Sequence, residues 1–245
     1  MKLSAVVITY NEEKRIEDCL RSVSFADEIV VVDSYSSDRT KELATKFPVR
    51  FFERAFDHYA NQKNYALSQA NGNWILLVDA DERVPEDLAA EVRSIATTAA
   101  ERAYAIKRET YFFGKRLRFS GTRDDWPVRL FPKDALHFEQ PVHEKVVTEL
   151  PVSKLKHVML HYTTRDWAHY KQKLPQYIRL EVETMRRKGG KISWFDLCFR
   201  PAARFIRLYF FMLGFLDALG GLQFASCSAY YEYLKCSQFL KVKAK

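Results

Sequence analysis

The chain has 245 residues, of which 47% are hydrophobic and 29% are charged, and its formal net charge is +8 at pH 7. This length and apolar content allow a buried core and exclude an intrinsically disordered protein. The four cysteines form no Cys-x-x-Cys pair, so neither a zinc site nor a disulfide framework is predicted. The amino terminus lacks the layout of a signal peptide, and with unpaired cysteines this predicts a cytoplasmic protein.

The first 80 residues alternate between apolar strands and short helices. The helices are predicted to follow Asn11, to begin at about Arg39 and to cover 61–70, and the strands to cover 3–10, 28–33, 49–52 and 74–78. Strands that alternate with helices form right-handed βαβ units around a parallel sheet. The sequence therefore predicts an α/β fold with a Rossmann-like, mostly parallel sheet.

Three of these strands are followed by polar side chains. Asn11 and Glu12 follow the first strand, Asp33 ends the second, and Asp79 and Asp81 follow the fourth. The carboxyl ends of parallel strands meet at one edge of the sheet, where open α/β sheets bind their ligands. We therefore expect a binding site at this edge.

The pair Asp79 and Asp81 predicts a metal site. In an extended strand, residues i and i+2 point to the same side, so the two carboxylates are expected to project together. Carboxylate oxygens suit Mg²⁺ or Mn²⁺, and Mg²⁺ usually shares its coordination shell with water and substrate phosphates. For this pair taken alone, a polar turn after a strand remains an equal alternative.

The last 60 residues carry the whole net charge. Residues 1–185 contain 28 basic and 28 acidic residues, whereas residues 186–245 contain 11 basic and 3 acidic ones. Three arginines fall on one helical face and aromatic residues fall on another; the arginines are Arg200, Arg204 and Arg207. This pattern predicts helices that lie at an anionic membrane surface. A helical subdomain packed on the rest of the protein, or a dimer contact, is the alternative.

The same segment is not expected to span a membrane. Its uncharged stretches, 208–216 and 218–231, are shorter than the roughly 20 residues that a spanning helix needs. The pair Gly220-Gly221 is also expected to break the second stretch. We therefore predict peripheral association with the membrane.

Several blocks resemble family 2 glycosyltransferases, in the same order and at the same spacing. They are Val-Val-Ile-Thr-Tyr-Asn-Glu at 6–12, Val-Val-Asp-Ser-Tyr-Ser-Ser-Asp-Arg-Thr at 31–40, Gln-Lys-Asn-Tyr-Ala-Leu at 62–67 and Leu-Val-Asp-Ala-Asp-Glu at 77–82. Three later blocks, at 129–131, 141–144 and 160–162, look like the branch that contains lipopolysaccharide core β-1,4-glucosyltransferases. The resemblance implies a GT-A catalytic domain over 1–165, followed by a helical, basic and aromatic membrane-associating region over 166–245.

The resemblance also implies a nucleotide-sugar donor and inversion at the anomeric carbon. Asp33 would accept the N3 proton of uracil or hold the ribose, and three residues at the first strand end would touch the nucleoside: Thr9, Asn11 and Glu12. Lys63 would meet the diphosphate, although a solvated helix face is an equal alternative for it. Arg129 would pair with a carboxylate or a phosphate.

The resemblance assigns the metal and the base as follows. Asp81 would be the direct ligand of Mg²⁺ or Mn²⁺, and Asp79 would either join it or face the ribose. His161 would complete the coordination shell of the metal. A purely structural role is the alternative, and it is the more frequent one for a histidine at a strand end. An inverting transfer needs a base that reaches the acceptor hydroxyl. Glu144, in the block at 141–144, is the first choice, and Asp125 is the runner-up.

These inferences predict an enzyme that moves a hexose, with glucose favoured, from a UDP-sugar to a lipid-linked or lipopolysaccharide core acceptor at the inner face of the cytoplasmic membrane. A non-catalytic nucleotide-sugar-binding protein, or a transferase for another polysaccharide or a protein, is the alternative. A nicotinamide oxidoreductase is disfavoured because no Gly-x-Gly-x-x-Gly follows the first strand. A nucleic acid is not an expected partner, because the clustered acids would repel a phosphate backbone.

Overall fold

The computed structural model describes residues 2–97, 102–140 and 145–243. The chain divides into two compact units. The first unit comprises residues 1–108 and 125–161, and the second comprises 109–124 and 162–245. The segment 109–124, which lies inside the catalytic domain proposed from the sequence, thus belongs to the second unit.

The first unit is built on a parallel sheet whose strand order is β3-β2-β1-β4. These strands are β1 (Leu3–Thr9), β2 (Glu28–Asp33), β3 (Arg50–Glu53) and β4 (Trp74–Asp79). The helices between and after them are α1 (Ile16–Ser22), α2 (Thr40–Ala44), α3 (Tyr59–Ser68) and α4 (Glu86–Ala96). All three pairings within this group are parallel, so the predicted βαβ arrangement is confirmed.

The central strands are apolar on both faces because both faces are covered. Alternate residues of β1 and β4 enter two separate buried clusters, with Val7 and Leu76 in one and Val6 and Leu77 in the other. Continuous apolar runs are typical of parallel strands buried on both sides. Hydrophobic burial of this kind, at about 25 cal/mol per Å² of apolar area, holds the polar strand ends in fixed positions.

An antiparallel extension continues the sheet beyond β4. Its further strands, in the spatial order β8-β6-β11-β5, are β5 (Glu82–Arg83), β6 (Ala103–Phe112), β8 (Val128–Pro132) and β11 (Val152–Thr164). The pairs β4–β8, β6–β8 and β5–β11 are antiparallel. A separate two-stranded sheet pairs β9 (Leu136–Glu139) with β10 (Lys145–Thr148). Together the parallel and antiparallel halves give the GT-A fold expected from the resemblance.

The second unit is mainly helical. It contains β7 (Lys115–Leu117), which pairs with the end of β6, and the helices α5 (Trp167–Arg187), α6 (Asp196–Ile206) and α7 (Ala218–Lys243). Between α6 and α7 lie a π-helical turn at Arg207–Phe211 and a 3₁₀ turn at Gly214–Asp217.

The prediction that Gly220-Gly221 would break the last helix was wrong, because α7 runs through both glycines. A Cβ on Gly221 would lie 1.8 Å from the Gly214 carbonyl oxygen, and one on Gly220 would lie 3.3 Å from the side chains of Lys115 and Leu117. These glycines therefore permit close packing of the helix against the preceding turn and β7, and that packing compensates for their low helix propensity.

No single helix in the described part of the chain combines the length and the apolarity needed to cross a membrane. The segments Asp196–Phe211 and Gly214–Lys241 meet that test only when taken together, and they are bent by 73° at the break between them.

Candidate active site

The carboxyl ends of β1, β2 and β4 lie side by side, as predicted. Thr9 aligns with Asp33 in the pairing of β1 with β2, and Ile8 aligns with Asp79 in the pairing of β1 with β4. The polar residues that follow these strands therefore share one edge of the sheet, and each is held by a strand that is buried over most of its length.

Asp33 is completely buried, and both of its carboxylate oxygens accept hydrogen bonds from Ser36. The Ser36 N–H donates to Oδ2 at a distance of 2.6 Å, and the Ser36 hydroxyl donates to Oδ1 at a distance of 2.5 Å. Burial raises the pKa of Asp33, and the two hydrogen bonds from Ser36 oppose this rise only in part. Asp33 thus fixes the start of the loop between β2 and α2, and its contact with uracil stays a prediction.

Asn11 and Glu12 tie the loop after β1 to the loop after β2. Asn11 has a left-handed backbone with φ of 52°. Its N–H donates to Ser36 Oγ, and its Oδ1 accepts from the Ser37 N–H, each at a distance of 2.8 Å. The Glu12 N–H donates to Thr40 Oγ1 over 2.8 Å. These cross-links hold both loops in one conformation, which pre-organises any ligand site between them.

Thr9 occupies the end of β1 and is 5% exposed. Its hydroxyl oxygen is buried and has no hydrogen-bond partner among the described residues. A buried hydroxyl is nearly always hydrogen-bonded in a native protein, so an orphaned one needs an explanation. A bound nucleoside would supply the missing partner.

The strand ends at Asp79, so the expectation that one extended strand would project Asp79 and Asp81 together was wrong. Ala80 and Asp81 form a turn, and the Glu82 carboxylate accepts the Asp79 N–H over 2.9 Å. Asp81 lies close to His161 and Arg15, whereas Asp79 pairs with Arg129. The turn thereby gives the two carboxylates different partners.

Asp79 belongs to a buried ionic cluster with Glu82 and two arginines. Arg129 is 2% exposed; it pairs with Asp79, and its guanidinium also lies 2.6 Å from a carboxylate oxygen of the fully buried Glu82. Arg108 reaches the same Glu82 oxygen at 3.3 Å and Asp125 at 2.8 Å. Arg129 therefore pairs with carboxylates, one of the two alternatives left open by the sequence. Arg108 was missed because nothing in the charged stretch 107–109 distinguishes it.

The cluster keeps Asp79 ionised. Burial by itself raises the pKa of Asp79, but the positive charges of Arg129, Lys63 and Arg108 outweigh it and hold that pKa well below its usual range. Asp79 Oδ1 is buried without a hydrogen-bond partner among the residues described. Asp79 therefore offers one anionic oxygen for a ligand while the other is held by Arg129.

Lys63 lies on α3 and is 6% exposed, so the alternative of a solvated helix face is excluded. Its ammonium group is 5.2 Å from the centre of the Phe138 ring and contributes to lowering the pKa of Asp79. A buried ammonium group beside the strand ends is suited to an anionic ligand such as a diphosphate.

Asp81 and His161 form the pair that could hold a cation. His161 Nε2 lies 3.7 Å from Asp81 Oδ1, and His161 Nδ1 is buried without a hydrogen-bond partner in the described structure. Arg15, which the sequence did not single out, lies 3.9 Å from Asp81 and 3.7 Å from Glu12. Residues 2–97, 102–140 and 145–243 contain no group of three or more His, Cys, Asp or Glu residues placed to bind a metal. Substrate phosphates and water would therefore have to complete the shell, as is usual for Mg²⁺.

Only one of the two candidates for the base lies among the described residues. Glu144 and its block at 141–144 lie outside the described residues, so its assignment stays a prediction. Asp125 is described, and its carboxylate is engaged by the Arg108 guanidinium at 2.8 Å.

We expect Arg129→Met to destabilise the first unit by about 3–5 kcal/mol, because the buried Asp79 and Glu82 would lose their shared cation. Urea unfolding measures this, with Arg39→Met as the control because Arg39 pairs with Glu42 at the surface and should matter little. Asp79 has a depressed pKa, so the stability that its ion pair contributes is present above a pH of about 3.9, the pKa expected for Asp in the unfolded chain. That stability is lost as the pH falls below this value. The difference between wild type and Arg129→Met should therefore shrink in acid; equal stability of the two proteins at pH 7 would contradict the assignment.

The chain was compared with known proteins. The family model described as "Glycosyl transferase family 2" matches residues 4–147. The lipopolysaccharide core biosynthesis glycosyltransferase LpsC of Rhizobium meliloti is 29% identical over 94% of this chain and 91% of its own length. An uncharacterized glycosyltransferase of Rickettsia typhi is 26% identical over all of this chain and 88% of its own. The crystal structure of Staphylococcus aureus TarS residues 1–349 in complex with UDP-GlcNAc superposes with a TM-score of 0.51 at 17% identity, over all of this chain and 91% of that one.

Proposed function

This chain belongs to glycosyl transferase family 2, and we propose that it transfers a hexose from a UDP-sugar to a lipopolysaccharide core or another lipid-linked saccharide. The observation that carries the proposal is the convergence of Asp33, Asp79 and Asp81 with the buried cations Lys63 and Arg15 at one sheet edge. Acids that bind a nucleoside and a metal, beside cations that bind a diphosphate, are the groups that a nucleotide-sugar donor needs.

The donor half of the site is assigned to residues that are already held in place. Asp33 and Thr9 face the nucleoside, and the buried hydroxyl of Thr9 gains the partner it lacks. Lys63 and Arg15 attract the diphosphate. Asp79 binds the ribose through Oδ1, the oxygen that Arg129 leaves without a hydrogen bond.

Asp81 and His161 would hold Mg²⁺ or Mn²⁺ together with the donor's diphosphate and water. The cation would neutralise the charge that develops on the departing UDP, so that the leaving group needs no proton. Glu144 would accept the proton of the acceptor hydroxyl as that oxygen bonds to the anomeric carbon and the bond from that carbon to UDP breaks, with inversion.

The acceptor is proposed from the relatives and from the surface of the second unit. LpsC is a lipopolysaccharide core biosynthesis enzyme by name, and it matches this chain over nearly its whole length. The region after residue 185 carries the net positive charge and exposes aromatic side chains such as Trp194, Phe195 and Phe199. A glycolipid acceptor at the inner face of the cytoplasmic membrane accounts for both features.

The test is a donor screen on the purified protein with Mg²⁺ or Mn²⁺. UDP-glucose, UDP-galactose, UDP-GlcNAc and nucleotide sugars with other bases are compared by release of the nucleotide and by shift of the melting temperature. We expect UDP-sugars to be preferred and UDP-glucose to be the best of them. A shift of the melting temperature with a UDP-sugar, but no release of UDP with any acceptor fraction, would favour the alternative of a non-catalytic binding protein. Turnover only with a protein or another polysaccharide would overturn the acceptor assignment.

A further inference from the structure

The connection between α6 and α7 exposes an unusual amount of apolar surface. We call residues 207–222 the tip. Eight large apolar side chains of the tip are between 37% and 79% exposed: Phe210, Phe211, Met212, Leu213, Phe215, Leu216, Leu219 and Leu222. Scattered exposed apolar residues are normal, but a contiguous set of this size marks a surface that contacts a protein or a membrane.

The tip is held in shape by the segment 117–122 of the same unit. The Ser120 N–H donates to the Met212 carbonyl oxygen over 2.9 Å, and a Cβ on Gly214 would lie 2.9 Å from Ser120 Oγ. Leu213 has a left-handed backbone with φ of 55°, and Ala218 also has a positive φ, of 49°. Residues without a glycine's freedom adopt this conformation only where the surroundings fix it, so the tip is a preformed turn.

Asp217 is the only Asp, Glu, Lys, Arg or His residue between Arg207 and Glu232, and its carboxylate is turned inward. Its two carboxylate oxygens accept from the Arg118 N–H at 2.8 Å, the Phe119 N–H at 3.0 Å and the Ser120 hydroxyl at 2.9 Å. Three hydrogen bonds of this kind compensate for the loss of water around a carboxylate. The tip therefore exposes apolar side chains while its one acid is capped by the backbone.

Exposed arginines lie at the start of the tip and in the segment that anchors it. They are Arg204 and Arg207 at the end of α6 and the start of the tip, and Arg118 and Arg123 in and beside the segment 117–122. Arg200, by contrast, is engaged by Asp196 at 2.8 Å. Exposed cations next to an exposed apolar segment match the boundary between anionic headgroups and acyl chains, and they would repel a second copy of the same basic surface.

The length of the apolar segment limits its depth. The uncharged start of α7, from Ala218 to Tyr231, is about 20 Å long at 1.5 Å per residue. This length exceeds the thickness of one leaflet, which is half of the roughly 30 Å hydrocarbon core, and is less than the thickness of both leaflets. The break of 73° before α7 likewise suits a re-entrant turn.

We propose that the tip inserts into the acyl region of one leaflet of an anionic bilayer, with the four exposed arginines at the level of the headgroups. This inference rests on the membrane association proposed above and deepens it, because it replaces helices lying flat at the interface with a wedge of defined position. The partner is a phospholipid surface. The wedge would anchor the enzyme where a lipid-linked acceptor is found.

Depth-dependent quenching tests the wedge directly. The background is the full-length Cys198→Ser protein, whose other cysteines are buried. In this background Phe211→Cys introduces a cysteine in the tip that is labelled with an environment-sensitive fluorophore, and Ala90→Cys on α4 of the first unit provides the control label. Vesicles of phosphatidylcholine with phosphatidylglycerol carry a nitroxide either at the headgroup or deep in the acyl chain. We expect the label at 211 to be quenched more by the deep nitroxide and the label at 90 by neither. Stronger quenching from the headgroup, or none, would overturn insertion.

A second arm uses matched charge insertions. Phe211→Glu and Ala90→Glu each add one carboxylate at an exposed position, so neither should lower the melting temperature. We expect Phe211→Glu to weaken flotation with the anionic vesicles by about tenfold or more and Ala90→Glu to leave it unchanged. UDP release without vesicles should be equal in both, so failure of the wedge is distinguishable from failure of the proposed transferase activity. Equal flotation of the two variants, or association of the wild type with itself in place of vesicles, would contradict the proposal.

Discussion

Replacing Asp81 by Asn is expected to lower the rate of sugar transfer by about 10²–10³-fold while leaving the fold intact. Asp81 lies in the turn after β4 and contacts His161 and Arg15, and its side chain is 17% exposed, so a neutral isostere should be accommodated. The amide loses the negative charge that would bind a divalent cation to the donor diphosphate. The buried cluster around Glu82 does not include Asp81 and should be undisturbed.

The measurements are the rate of transfer across a titration of Mn²⁺ and the shift of the melting temperature produced by Mn²⁺ with UDP. Asp18→Asn is the control, since Asp18 is an exposed carboxylate on α1 with 65% of its side chain accessible. We expect Asp18→Asn to behave as wild type, and Asp81→Asn to lose both the transfer and the Mn²⁺-dependent shift. Full activity of Asp81→Asn in chelator-treated buffer would end the assignment of a metal to this residue.

Replacing Glu144 by Gln is expected to depress turnover by roughly 10²–10⁴-fold with donor binding near normal, because the amide keeps the shape of the side chain and cannot accept the proton. Binding of UDP and the turnover number are measured separately, so that a loss of the base is distinguished from a loss of the donor. Glu149→Gln, the same change at an exposed position five residues along the chain, is the control and should remain active.

Asp125→Asn provides the decisive comparison for the base. The Asp125 carboxylate is held by Arg108, which also contacts the buried Glu82, so its loss should mainly lower the melting temperature. We expect Asp125→Asn to keep turnover within about tenfold of wild type, since the proton acceptor would be untouched. If Asp125→Asn loses turnover and Glu144→Gln does not, the base is Asp125.

The sequence determined the part of the fold that depends on local pattern. The apolar runs of β1, β2 and β4 are long enough to be buried on both faces, and the helices between them force parallel pairing with right-handed crossovers. It follows that the polar residues at the three strand ends share one edge, and the structure places Thr9, Asp33 and Asp79 there. The sequence also identified the family, because several weak blocks occurred in a fixed order.

The tertiary structure decided which of these residues contact each other. The sequence treated Asp79 and Asp81 as one pair on a strand, but the Glu82 carboxylate binds the Asp79 N–H and the chain turns, so Asp81 meets His161. Arg108 and Arg129 come from strands far along the chain, and their pairing with Glu82 depends on the antiparallel register of β6 and β8, which no local pattern specifies.

The same limit explains the last helix. A pair of glycines lowers helix propensity, so local reasoning placed a break at Gly220-Gly221. The close approach of the Gly214 carbonyl leaves no room for a Cβ at position 221, whereas a Cβ at 220 would only crowd the β7 side chains, and the helix continues through both positions. Local propensity is worth about 1 kcal/mol per glycine, and tertiary packing outweighs it. The strand ends and the family thus follow from the sequence, whereas the ionic cluster, the partner of Asp81 and the shape of the tip arise from contacts between segments distant in the chain.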